Sequence, residues 1–169
     1  MITLVVGGAR SGKSEVAERL AARLPAPVTY VATATAAPGD DDMATRIAAH
    51  RTRRPGEWQT VEAGPDHTSG GLPSLVAGLD GTVLLDALGP WVAAMPAFSA
   101  DASGLCRALQ SRRGDTLVVS EEVGLGVHPA TEAGRHFRDA LGEVNQAVAR
   151  IADDVLLVVA GRTLHLERP

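Results

Sequence analysis

Of the 16 basic residues in this chain, one alone is lysine, and it stands at position 13. It belongs to the run Gly7-Gly8-Ala9-Arg10-Ser11-Gly12-Lys13-Ser14, which satisfies G-x-x-x-x-G-K-[ST] throughout. The chemistry served by this spacing is polyphosphate binding. Glycines let successive backbone N–H groups converge on one concavity, and the positive end of a following helix strengthens the field. A compact ammonium on a flexible stem reaches β- and γ-phosphates where a planar guanidinium fork would not serve equally. Lys13 is therefore a candidate catalytic residue, Gly7 to Ser14 are candidate nucleotide-binding residues, and the phosphates of ATP or GTP are the expected ligand. The Ser14 hydroxyl is the expected Mg²⁺ ligand, and Asp86, which follows Val83-Leu84-Leu85, is the second anchor. A turn or helix-capping role is the alternative for Asp86.

A second cluster, DDDMATRIAAHRTRRP, runs from Asp40 to Pro55. Arg46, Arg51, Arg53 and Arg54 fall within nine residues there, a density suited to bidentate contacts with a polyphosphate. Met43, Ile47 and His50 share one face at helical spacing. Beside these guanidiniums, His50 could serve as acid, base or nucleophile. As a nucleophile, the neutral imidazole would attack an α-phosphorus, form a phosphoramidate and expel pyrophosphate. Arg46, Arg53 and Arg54 would hold that leaving charge. A half-buried structural histidine beside a solvated arginine stripe is the other reading of the same residues. Glu121 and Glu122 could orient magnesium or accept a substrate proton, with Glu122 the catalytic candidate, or could face water as loop charges. Glu62, at the end of an alternating stretch from Glu57, joins the nucleotide-binding candidates. His67, His128, His136 and His165 show no metal-ligand spacing, and Cys106, the lone cysteine, excludes an internal disulfide.

These residues need elements to hold them. Ile2 to Val6 is an apolar run entering Gly7-Gly8 and reads as a buried strand, while Lys13 to Leu24 carries apolar residues at helical spacing until Pro25. Further strands are expected over 28–32, 57–62, 82–85, 116–119 and 155–160, with a short hairpin partner at 164–166. Helices are expected from Asp40 or Asp41 to about Arg53, from Pro90 to Met95, over 105–112 and over 134–151. Residues 64–71 and 96–104 read as irregular. Apolar strands alternating with helices describe a mostly parallel sheet covered on both faces, an α/β fold in a single domain over 1–169. Ligands of such folds bind beyond the carboxyl ends of the strands, where Gly7, Asp86 and Ser120 are all expected.

The bulk composition narrows the partners. A net charge of -4 argues against broad nucleic-acid binding, which needs a basic face. No apolar run reaches the ~20 residues that span a bilayer, so stable membrane insertion is not expected. The amino terminus lacks the basic region and cleavage site of a secretory signal, and a cytoplasmic location is the expectation.

Several segments together resemble one family, in order and over nearly the whole chain. They are GGARSGKS at 7–14, Ala32-Thr33, DDDMATRIAAHRTRRPGEW at 40–58, LLDALGPWV at 84–92, EVGLGVHP at 122–129 and RHFRDALGEVNQAVARIADDVLLVVAG at 135–161. The family is the bifunctional adenosylcobinamide kinase/adenosylcobinamide-phosphate guanylyltransferase of cobalamin biosynthesis. The resemblance implies a RecA-like P-loop NTPase fold, Mg²⁺, and both ATP and GTP as substrates. It also implies phosphorylation of adenosylcobinamide, then GMP transfer from GTP through a guanylylated histidine, which matches His50. A homo-oligomer, a trimer, is implied as well. Alternatives are a small-molecule kinase without nucleotide transfer and a nucleotide-switched binding protein. The chain departs from the family in places. Asp86-Ala87-Leu88-Gly89-Pro90 stands where the pattern reads more like D-C-[LI]-T, the stretch 96–104 is short, Glu121 replaces a usual Asn, and Ala49 replaces the second histidine of some members.

Overall fold

In a computed structural model, residues 1–34, 39, 41–63 and 71–168 are described, without the side chains of 42–44, 46, 49 and 50. The strands are β1 (Ile2–Gly7), β2 (Val28–Ala32), β3 (Gln59–Glu62), β4 (Thr82–Asp86), β5 (Thr116–Glu121), β6 (Asp154–Val159) and β7 (Arg162–His165). The helices are α1 (Lys13–Ala21), α2 (Asp41–Arg53), α3 (Gly71–Ala77), α4 (Leu88–Ala94), α5 (Ala102–Ser111) and α6 (Glu132–Ile151). The strands form one 7-stranded sheet in the order β3-β2-β4-β5-β1-β6-β7. Pairing is parallel from β3 through β6, and β7 returns antiparallel on β6 as the predicted hairpin.

Parallel strands covered on both faces must be apolar on both, and the central strands are. Alternate residues of β1 supply the two layers. Leu4 and Val6 pack with Leu85, Val118 and the buried faces of α3 to α6, whereas Val5 packs with Tyr30, Leu84 and α1. The largest buried side chain, Trp91 of α4, is 1% exposed. In α6, Leu141, Val144 and Val148 step along one buried stripe, and Thr131 caps the helix by accepting the Gly134 N–H at 3.1 Å.

The amino edge of the sheet is closed by Arg112. Its guanidinium donates to the carbonyls of Leu79, Gly81 and Asp115 and to Thr116 Oγ1, at 2.5–3.2 Å. The carboxyl edge carries the phosphate loop.

Three features differ from expectation. β5 extends through Glu121, so Ser120 lies within the strand, not beyond it. It is paired in register with Val6, fully buried, and donates to Asn145 Oδ1 at 2.5 Å. Polar residues continue this strand because β1 continues beside it and α6 supplies their partner. α3 is not signalled in the sequence, since its buried apolar pair, Leu72 and Val76, is too short to show a period. α5 begins at Ala102, capped by Asp101, inside the stretch expected to be irregular.

Candidate active site

β1 delivers the chain to the phosphate loop, and α1 leaves it at Lys13. Gly12, between them, has φ 90°, a left-handed backbone that glycine adopts without strain. The loop is braced from the β6–β7 turn, where Gly161 N–H donates to Ser11 O at 2.7 Å. The amino end of α1, with its positive dipole, opens directly from the loop at Gly12. Gly7, Gly8, Ala9, Arg10, Ser11, Gly12, Lys13 and Ser14 are thus contiguous on one turn at the carboxyl edge of the sheet.

Lys13 is 9% exposed. Its Nζ lies 3.5 Å from Gly8 O, to which it donates, and 3.6 Å from Glu121 Oε1. Ser14 Oγ donates to Asp86 Oδ1 at 3.2 Å, a contact across 72 positions that the adjacency of β4, β5 and β1 makes possible. Asp86 Oδ2 accepts the Tyr30 hydroxyl at 2.5 Å. Burial first, then the Asp86 charge beside it, pushes the Tyr30 phenol above its ordinary value, so it keeps its proton and remains a donor. Thr33 grips the next residue from both sides, donating to Ala87 O and accepting from Ala87 N–H at 2.5 and 2.9 Å.

Ser14 and Asp86 present hard oxygen donors side by side, which suits Mg²⁺. Among the described residues no group of three or more His, Cys, Asp or Glu converges to hold a metal. The pair therefore fits a magnesium that keeps waters and phosphate oxygens in its shell, not a closed all-protein site.

The carboxyl end of the arginine helix is tied to α1, β2 and β3. Arg53 bonds Glu18 of α1 through Nε and a terminal nitrogen at 3.1 and 3.3 Å, and that bond foremost raises its pKa. Arg54 stacks on Tyr30, with its guanidinium carbon 3.3 Å from the ring centroid, a cation–π contact. Arg51 pairs with Glu62 at the end of β3. These two arginines, Trp58 and Glu62 line a pocket of about 440 Å³. His50 and Arg46 lie on α2, but their side chains are outside the described residues.

Two expectations about neighbouring carboxylates separate. Glu121, the last residue of β5, is the one that meets Lys13. Glu122 instead accepts the Gly124 N–H of its own loop at 2.6 Å. Tyr30 was missed by sequence reasoning, although a signal exists. It is the chain's sole tyrosine, set in an apolar strand where a buried hydroxyl needs an acceptor.

A family model described as cobinamide kinase / cobinamide phosphate guanyltransferase matches residues 3–166. The bifunctional adenosylcobalamin biosynthesis protein CobP of Pseudomonas aeruginosa is 39% identical over 173 residues, covering 99% of this chain and 98% of its own. The protein of the same description, CobU, from Salmonella typhimurium is 38% identical, covering 95% and 97%. Among solved structures, a prototypical ATPase from the type III secretion system of pathogenic bacteria superposes with a TM-score of 0.53 at 7% identity. That match covers 97% of this chain and 56% of the ATPase, and it shows the fold alone, a mostly parallel sheet with helices on both faces.

Proposed function

From the premise that the chain belongs to the cobinamide kinase / cobinamide phosphate guanyltransferase family, we propose that it catalyses two successive transfers. The first phosphorylates the aminopropanol hydroxyl of adenosylcobinamide with a nucleoside triphosphate, ATP or GTP. The second moves GMP from GTP onto that phosphate through a guanylylated His50, giving adenosylcobinamide-GDP and pyrophosphate. The observation that carries the reading is the convergence of Lys13, Ser14 and Asp86 at one end of the sheet.

In the first step the loop amides and Lys13 hold the β- and γ-phosphates in line with the acceptor hydroxyl and stabilise the transferring charge. Ser14 and Asp86 would hold Mg²⁺, which neutralises and orients the phosphates. In the second step an imidazole nitrogen of His50 bonds the α-phosphorus while the bond to pyrophosphate breaks. The phosphate oxygen of the acceptor then displaces the imidazole. Arg46 and Arg54 would stabilise the departing pyrophosphate, and Arg53, through Glu18, would fix α2 on α1 for that task. Glu62 would contact the nucleotide at the β3 pocket, and Glu122 would accept the proton of the acceptor hydroxyl as its oxygen bonds the γ-phosphorus and the nucleoside diphosphate leaves.

The test uses GTP labelled at the α-phosphate. Wild-type protein with Mg²⁺ is expected to retain label in an adduct that acid destroys and alkali spares, and His50→Ala is expected to abolish it. Absence of the adduct from wild type, or its persistence in His50→Ala, sinks the histidine assignment. Incubation with adenosylcobinamide, GTP and Mg²⁺ should yield adenosylcobinamide-GDP. The same reading makes the protein a cytoplasmic homo-oligomer, a trimer, which sedimentation can check. Among the described residues no helix is long and apolar enough to cross a membrane.

A further inference from the structure

Glu121 stands beside Gly7 in register, where β5 ends between β4 and β1. Its carboxylate is fixed on both oxygens. Oε1 lies 3.6 Å from Lys13 Nζ, and Oε2 accepts the Gly89 N–H at 2.9 Å. A Cβ at position 89 would come within 2.2 Å of Oε2, so a larger residue there would displace the carboxylate from this seat. The backbone beneath is held too, since Asn145 donates to Glu121 O at 3.0 Å. With the side chain 27% exposed, the charge is only partly screened by water.

A phosphate gripped by Lys13 must therefore approach a carboxylate that already neutralises that ammonium. A metal-free triphosphate brings its full negative charge against Glu121. A divalent cation held by Ser14 and Asp86 offsets much of that charge before it reaches the pair. Resting on the reading of Gly7 to Ser14 as a polyphosphate loop, we propose that Glu121 is a charge filter that selects the magnesium complex of the nucleotide over the metal-free anion. It does so by repulsion, as a specificity-determining residue that is not itself a metal ligand.

Calorimetric titration of the full chain with the β,γ-imido analogue of GTP, in excess Mg²⁺ and in EDTA, separates the possibilities. Wild type is expected to prefer the magnesium complex. Glu121→Gln keeps an acceptor for Gly89, and it is expected to tighten metal-free binding about tenfold while shifting the magnesium arm less than about threefold. Glu121→Asn, also neutral, is expected to move affinity in the same direction and serves if the glutamine variant melts early. Glu167→Gln removes the same formal charge from an exposed position just beyond Leu166, which bonds β6 at Val155. It is expected to leave both arms at the wild-type values. Unchanged metal-free affinity in Glu121→Gln overturns the proposal. So does a selective loss in the magnesium arm, which would make Glu121 a metal ligand. If wild type binds neither form, the polyphosphate-loop reading falls and the filter falls with it.

Discussion

Lys13→Ala lowers the turnover of the phosphorylation step by about 10²–10³-fold, the usual loss when one preorganised donor to the transferring group is removed. The side chain is nearly buried and anchored at Gly8 O and Glu121, so its charge acts in a poorly screened site. Truncation also leaves the Glu121 carboxylate without its ammonium, and nucleotide affinity is expected to fall alongside kcat. Lys13→Arg keeps the charge yet recovers little activity, because a guanidinium can pair bidentately with Glu121 and stay there. Steady-state rates with adenosylcobinamide as acceptor, on variants that melt with wild type, read the effect. Turnover within threefold of wild type in Lys13→Ala would remove the loop from the chemistry.

Asp86→Asn raises the Mg²⁺ concentration needed for half-maximal activity by about 10–100-fold and depresses kcat at saturating metal. The substitution preserves shape and leaves an oxygen for either Ser14 or Tyr30, so it tests the charge more than the packing. Tyr30→Phe removes only the hydroxyl that orients Asp86 Oδ2. It should shift the magnesium requirement in the same direction by a smaller factor, about threefold to fivefold. Binding of Mn²⁺ with a non-hydrolysable nucleotide, followed by electron paramagnetic resonance, reports the metal without relying on turnover. An unchanged metal requirement in Asp86→Asn would show that Ser14 and phosphate oxygens suffice without this carboxylate.

The phosphate loop was legible because three local signals coincide: an apolar run, a glycine motif and a helical period starting at Lys13. Asp86 was legible for a similar reason, as the carboxylate that ends a buried apolar run. Long-range order is what the linear chain conceals. Nothing local says that β4 and β1 flank β5, yet the Ser14–Asp86 contact depends on that arrangement. Tyr30 and Asp86 meet across 56 positions, and Ser120 and Asn145 across 25, so neither pair has a spacing to recognise. Ser120-Glu121 read as loop because two polar residues after Val119 break the apolar pattern. The strand that pairs with them is β1, and Asn145 of α6 satisfies the Ser120 hydroxyl. For His50 the residue type and its arginine neighbours were readable, but the long-range contacts that tie the carboxyl end of α2 down, Arg53 on Glu18 and Arg54 on Tyr30, were not.

The Arg112 guanidinium at the amino edge has a consequence for how the molecule breathes. Arg112 ties the turns after α3 and α5 to the start of β5, and opening any of them alone would strand a buried cation. That edge therefore behaves as one cooperative unit with the sheet. The amides of Thr82, Val83 and Thr116, which donate to Pro27, Asp115 and Met1, should exchange with deuterium only through global unfolding.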